Sequence, residues 1–285
     1  NSSGKLDTMV SIIIPTKNES RRLRLLLPSL ASQSDSGFEV VINDDKKTND
    51  DTPKIVKEFS KKLKISLIYQ NFSMAQSRKA GAKAARGQYL LHLDADMTLS
   101  SNVLEACVAK SKQGYDGIII PEISFGKGFW SQVRAFEKSL YIGDETIESA
   151  RFFSKKAYWA VNGHNEKMVL SEDKDLDLRV RMAGFKIGRI NEPLYHNEDY
   201  DLRRSILKKF FYGKTANPFI STHPKQTLIQ GNLLFRPAYF RHWHELVAHP
   251  VLAVSMFTMK FLEGLAGLSG LLFGRFFGGI DPWKK

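Results

Sequence analysis

One cysteine in 285 residues rules out an internal disulfide. That residue, Cys107, sits in the apolar helical pattern Val103, Leu104, Ala106, Cys107, Val108 and reads as a buried, inert thiol, an economy of cysteine that fits a reducing compartment. Glycine is missing between Pro15 and Ser20, directly after the first apolar run, so there is no Gly-rich phosphate loop. This absence counts against a nucleotidyltransferase acting on sugar phosphates. Zinc-ligand spacing, an RNA-recognition signature and aromatic-basic interleaving are all lacking, which argues against a non-catalytic nucleic-acid-binding module. The chain shows no internal repeat and no low-complexity linker. Asn1 to Thr8 is polar and does not read as a signal peptide.

What is present is an ordinary globular balance, 42% apolar and 25% charged, with a net charge of +12. Such a field attracts anions: nucleotides, nucleic acid or anionic lipid. Val10 to Ile14 is a short β-branched run closed by Pro15 and reads as a buried parallel strand. Leu23, Leu26, Leu27 and Leu30 follow at helical spacing, with Pro28 expected to kink or break the helix. Phe38–Ile42, Ile65–Tyr69, Tyr89–Leu93 and Gly117–Pro121 read as further strands. Helical patterns around Ile55, Val56 and Phe59 and over Ser73–Ala85 alternate with them. This βαβα order predicts a mostly parallel sheet flanked by helices, with ligands at the carboxyl ends of its strands. Residues 127–147 read as a helix and a mobile loop, and Phe152–Val161 as strand and turn. Ser171 reads as the cap of a helix that Gly184 ends.

The polar clusters lie at those strand ends. Asp94-Ala95-Asp96 follows the apolar strand Leu90-Leu91-His92-Leu93. In an extended segment both carboxylates face one side, where a hard divalent cation could bridge them to phosphate; the alternative is a simple turn. Glu172-Asp173-Lys174-Asp175 places three carboxylates in four residues, more than the capping of one helix requires, and one of them could deprotonate an acceptor hydroxyl. Asp44 and Asp45 suit a base or ribose, or a solvated turn. Arg78 and Lys79 suit phosphate, or a solvated helix face. His196 is either a metal ligand or a packed surface residue.

Taken together, these segments resemble the inverting glycosyltransferases of family 2, over roughly residues 9–198. The resemblance rests on Ser11-Ile12-Ile13-Ile14-Pro15-Thr16-Lys17-Asn18-Glu19, on Glu39 to Asp45, on Ala75-Gln76-Ser77-Arg78-Lys79-Ala80-Gly81, on Ala85 to Asp96, and on Glu172 to Arg179 followed by Ala183 to Ile187. No single motif decides it; five in the right order do. The sequence departs from the family at Lys46-Lys47, where Gly-Ser is usual, in a longer Thr48–Asp51 loop, and at Lys79, where Asn is common. The choice of nucleotide therefore stays open. The resemblance implies a Rossmann-like GT-A fold over residues 9–199, a nucleoside-diphosphate sugar (UDP or GDP) as donor, and Mn²⁺ or Mg²⁺ as cofactor. It implies that Asp96, Asp94 and His196 serve the metal, and that Asp173, or alternatively Glu172, is the base. Pro15, Thr16, Glu19, Asp44, Asp45, Arg78, Asp94 and Ala95 would then contact the donor.

The C-terminal region, 200–285, is basic and then apolar. Pro250 to Gly274 is long enough to span a bilayer, but Lys260 and Glu263 fall near its middle, three apart, where they could pair. The expectation is a pair of helices lying in the interface of a cytoplasmic membrane face, ahead of a true span or of helices packed on the core. The acceptor would then be lipid-linked, with Lys208, Lys209, Tyr212 and Lys214 near its phosphate.

Overall fold

The computed structural model describes residues 9–71, 73–232 and 236–277. It divides into two units. The first takes the chain up to Glu122, then Ser149–Glu166 and Glu172–His196; the second takes Ile123–Glu148, Lys167–Ser171 and the chain from Asn197 on.

The chain runs β1 (Val10–Thr16), α1 (Ser20–Ala31), β2 (Phe38–Asp44), α2 (Thr52–Phe59), β3 (Ile65–Tyr69), α3 (Met74–Ala84) and β4 (Tyr89–His92). Then come β5 (Met97–Leu99), α4 (Val103–Lys112) and β6 (Gly117–Ile119). It leaves the first unit through β7 (Glu122–Phe125) and α5 (Phe129–Ser139), and returns as β8 (Phe152–Ser154), α6 (Lys155–Ala160), α7 (Glu172–Met182), β9 (Ile187–Arg189) and β10 (Leu194–Asn197). The sheet order is β3-β2-β1-β4-β8-β6-β9. It is the expected mostly parallel sheet, with β8 inserted antiparallel between β4 and β6. β10 pairs antiparallel with β5.

Alternation along the strands covers both faces of the sheet, which is why β1 reads as a continuous apolar run. Ile12, Ile14, Val40, Ile42, Leu91, Ile118 and Phe152 pack into one core with Leu23, Leu26, Leu27 and Leu30 of α1; Ile13, Val41, Leu90, Ile119 and Phe153 pack into the other with Ala82, Tyr158, Leu176 and Val180. From β1 the chain winds outward to β2 and β3, then crosses to β4 on the other side of β1. That reversal opens a crevice at the carboxyl ends of β1 and β4, the position where open α/β sheets take ligands.

Local structure departs from the sequence reading in four places. α1 continues through Pro28 to Ala31, because Leu23, Leu26, Leu27 and Leu30 are all buried on one side and packing outweighs the one lost backbone bond. Lys155–Ala160 is a helix, started by Ser154 Oγ accepting from Ala157 N at 3.1 Å. Ser171 adopts a left-handed φ of 57° instead of the extended conformation of an N-cap. At the other end of α7 the expected glycine stop holds: Phe185 N reaches Val180 O and Gly184 N reaches Arg181 O, with φ at Gly184 of 83°.

The fourth departure lies in the second unit. There α8 (Leu202–Lys214), α9 (Asn217–Thr222), α10 (Pro224–Gly231), α11 (Pro237–Arg241) and α12 (Trp243–Ala248) lead to α13, one helix over Pro250–Phe277, where two were expected. Its glycines admit α8. A Cβ on Gly270 would stand 1.9 Å from Phe210 O, and one on Gly213 2.0 Å from Gly267 O. The expected pairing of Lys260 with Glu263 is present at 2.8 Å, inside a larger buried network. Lys260 Nζ also meets Glu137 at 2.7 Å, Glu137 pairs with Arg134, and Glu263 accepts from Tyr200 and Ser205 at 2.7 Å each. Burial alone would raise Glu263; the Lys260 ammonium beside it brings it down to about 2.

Candidate active site

The crevice between β1 and β4 gathers the strand-end residues. At the end of β1, Pro15 and Thr16 lie opposite Asn43 and Asp44 of β2. Asp44 is fully buried, and its Oδ1 accepts from Thr16 Oγ1 and Thr48 Oγ1, both at 2.8 Å, while Oδ2 has no hydrogen-bond partner among the described residues. Burial raises its pKa against those two hydrogen bonds. Asp45 pairs with Lys17 at 3.1 Å and accepts from Lys47 N at 2.7 Å. Glu19, at the start of α1, holds Arg22 at 3.1 Å, and burial raises its pKa despite that cation.

The Asp94-Ala95-Asp96 segment is a turn closed by Met97 N on Asp94 O at 3.2 Å, not the extended segment expected, and its two carboxylates meet different partners. Asp94 accepts from Arg78 at 2.6 Å and from Arg151 at 3.4 Å. Asp96 Oδ2 lies 3.3 Å from His196 Nε2, and Ala95 between the two aspartates is buried. Burial would raise Asp96, but the hydrogen bond from His196 keeps it below the usual range. His196 is brought opposite by β10, paired with β5, and Glu122 stands 2.7 Å from its Nδ1. A carboxylate behind one ring nitrogen orients the other towards a ligand position. Asp96 Oδ1 is buried and has no hydrogen-bond partner among the described residues. An orphaned buried carboxylate oxygen beside an oriented imidazole is a donor set that fits a hard divalent cation.

The acidic start of α7 closes the site. Arg78, on α3 and only 3% exposed, donates to Asp94, to Glu172 at 2.9 Å and to Asp173. Both its terminal nitrogens are thus taken by carboxylates. Glu172 is pushed up by burial and by the charge of Asp173; Asp173 is held down, against its burial, by Arg78. The structure therefore places Asp94, Asp173, Glu172 and Arg78 in one cluster and Asp96 with His196 in another, joined through Arg151, which also meets Glu122 at 3.1 Å. Sequence reasoning missed Arg151, Glu122, His164 and Tyr158, which have no local pattern and come together only through the sheet.

The glycosyl transferase family 2 model matches residues 11–164. The chain is a family 2 glycosyltransferase. It is 25% identical over 242 residues to an uncharacterized glycosyltransferase of Haemophilus influenzae, covering 78% of this chain and 79% of that one. It is 26% identical over 246 residues to the pre-mycofactocin glycosyltransferase of Mycobacterium tuberculosis, where it spans 79% of this chain but only 50% of the relative. Among solved structures it resembles the mannosyltransferase PcManGT from Pyrobaculum calidifontis in complex with GDP-Man and Mn²⁺ (TM-score 0.63, 15% identity, 93% of this chain and 87% of that one). It also resembles Staphylococcus aureus TarS in complex with UDP-GlcNAc (TM-score 0.58, 16% identity, 94% and 91%). These likenesses identify the GT-A fold.

The basic residues expected near an acceptor lie in the second unit. Lys208 is exposed, its ammonium 5.4 Å from the Tyr212 ring. Burial of the Lys209 amine lowers its pKa to about 8. Lys214 is buried, its ammonium 4.7 Å from the Phe273 ring. One helix among the described residues, Pro250–Phe276, is long and apolar enough to cross a membrane.

Proposed function

We propose that this glycosyltransferase moves a hexose from a nucleoside-diphosphate sugar, UDP- or GDP-linked, to a hydroxyl of a lipid-linked acceptor by inverting direct displacement. The observation that carries this reading is the pairing of Asp94 and Asp173 through Arg78, linked through Arg151 and Glu122 to His196 and Asp96. Asp173 takes the acceptor proton, the acceptor oxygen bonds to the anomeric carbon, and the bond from that carbon to the diphosphate breaks with its electrons going to the diphosphate. Asp173 suits the base better than Glu172 because it is held as a carboxylate and is the more exposed, at 31% against 15%. Asp96, Asp94 and His196 would hold Mn²⁺ or Mg²⁺, which supplies Lewis-acid stabilisation of the leaving diphosphate. The reading assigns Asp44, whose Oδ2 has no hydrogen-bond partner among the described residues, to the donor's base or ribose, with Pro15, Thr16, Glu19 and Asp45 as further donor contacts. In this reading Arg78 fixes the carboxylates beside the donor.

The test is nucleoside-diphosphate release from a panel of UDP- and GDP-sugars with Mn²⁺ and then with EDTA. Release from one donor should depend on the cation and fall about 100-fold or more in Asp96→Ala. Full release in EDTA would sink the metal reading, and formation of nucleoside monophosphate would instead indicate nucleotidyl transfer.

Membrane association rests on α13 and α8. Val251, Val254, Phe261, Leu265, Leu268 and Leu272, with Thr258 between the second and third, form an exposed stripe that no charge interrupts, and Arg203, Arg204 and Lys208 are exposed on α8. Lys260 is tied to Glu137 of α5, and Glu263 to Lys260, Tyr200 and Ser205, which supports the reading of α13 as lying along a membrane surface. Sedimentation with anionic vesicles should weaken at least tenfold when Arg203, Arg204 and Lys208 are all changed to Ala, at about 1 kcal/mol per basic residue. Unchanged binding would exclude the electrostatic contribution.

A further inference from the structure

We infer that His164 and Tyr158 are positioning residues that aim the carboxylate of Asp173, so that its Oδ2 faces the acceptor. The inference rests on the reading of Asp173 as the base. Both side chains are buried, at 1% and 0% exposure. His164 Nε2 lies 3.3 Å from Asp173 Oδ1, and His164 Nδ1 lies 3.0 Å from the Tyr158 hydroxyl. Arg78 binds the same Oδ1. Both contacts thus fall on one oxygen and fix the plane of the carboxylate.

The geometry also sets the tautomer. The backbone N–H of His164 donates to the Tyr158 oxygen at 3.3 Å. That leaves the hydroxyl hydrogen for Nδ1 and the ring proton on Nε2, pointing at Asp173. The opposite tautomer would set a nitrogen lone pair against a carboxylate. The imidazolium is disfavoured by burial and by the nearby charges of Arg78 and Arg179, which outweigh the pull of Asp173.

The surroundings hold this arrangement firmly. Asn162 and Gly163 take left-handed φ values of 61° and 64°, and a Cβ on Gly163 would stand 2.5 Å from the Tyr158 ring, so this turn requires glycine. Arg179 of α7 donates to Val161 O at 2.5 Å and Gly163 O at 2.8 Å, tying the turn to the helix that carries Asp173. His92 packs edge-on against the His164 ring, 4.6 Å between centroids, and stacks on Tyr158. The turn is thereby fastened to the helix that carries Asp173.

The test uses the full chain in two arms. Long-range ¹⁵N–¹H spectra of the imidazoles, with His164 assigned from its loss in His164→Gln, should show a neutral ring protonated on Nε2 at pH 7. Tyr158→Phe should convert it to a tautomer mixture. In the donor-release assay His164→Leu should lower kcat about 10–100-fold, with donor KM within about twofold. Tyr158→Phe should cause a smaller loss of the same kind. His164→Gln should recover most of the rate, because its side-chain amide can still donate to Asp173. A ring protonated on Nδ1, or an imidazolium, in the unmodified chain would overturn the inference, as would full kcat in a folded His164→Leu. If the unmodified chain releases nothing from any donor, the catalytic reading fails separately and the tautomer spectra still decide the positioning.

Discussion

Asp173→Asn is expected to lower kcat for nucleoside-diphosphate release by about 10²–10⁴-fold, the usual contribution of a positioned base. Donor KM should stay within about twofold, since the loss falls on the transition state alone. The amide keeps the shape of the carboxylate and can still accept from Arg78 and His164 through its oxygen, so the site should stay assembled. Glu172→Gln is the matched control. Burial and the charge of Asp173 already push Glu172 towards its protonated form, so removing its charge should matter much less. A large loss at Glu172 with little at Asp173 would reverse the assignment.

Arg78→Met should cost about 3–5 kcal/mol of stability, the range for breaking a buried ion pair. Among the described residues Arg78 is the one cation that touches Asp94, Glu172 and Asp173 together, and it is 3% exposed. Without it these carboxylates crowd one another. Arg78→Lys should recover little, because a single ammonium cannot present the two terminal nitrogens that Arg78 divides among them. Urea denaturation measures both; a loss below about 1 kcal/mol would mean that the cluster is not held by this cation.

The sheet was legible because its central strands are buried on both faces and appear as β-branched runs such as Val10–Ile14, broken there only by Ser11. The positions of Asp94, Asp96 and Asp173 were legible for the related reason that they follow such runs or open an acidic helix. What those side chains touch was not. Arg78 meets Glu172 and Asp173 across more than ninety positions in sequence, and no periodicity reports such a contact. Lys155–Ala160 read as strand and turn because Tyr158 and Trp159 favour strands, whereas a single serine cap and burial against α7 set it helical. The glycines of α13 read as a bend or as packing; only a neighbouring helix could choose, and α8 chose packing.

Arg78 and Arg151 link Glu172, Asp173, Asp94, Glu122, His196 and Asp96 into one uninterrupted series of charges. Such a series cannot be partitioned residue by residue. The effects of two substitutions within it will not sum, and each position will tolerate change only alongside a compensating change at its neighbour. In divergence this constrains the members of the series to drift as a linked set.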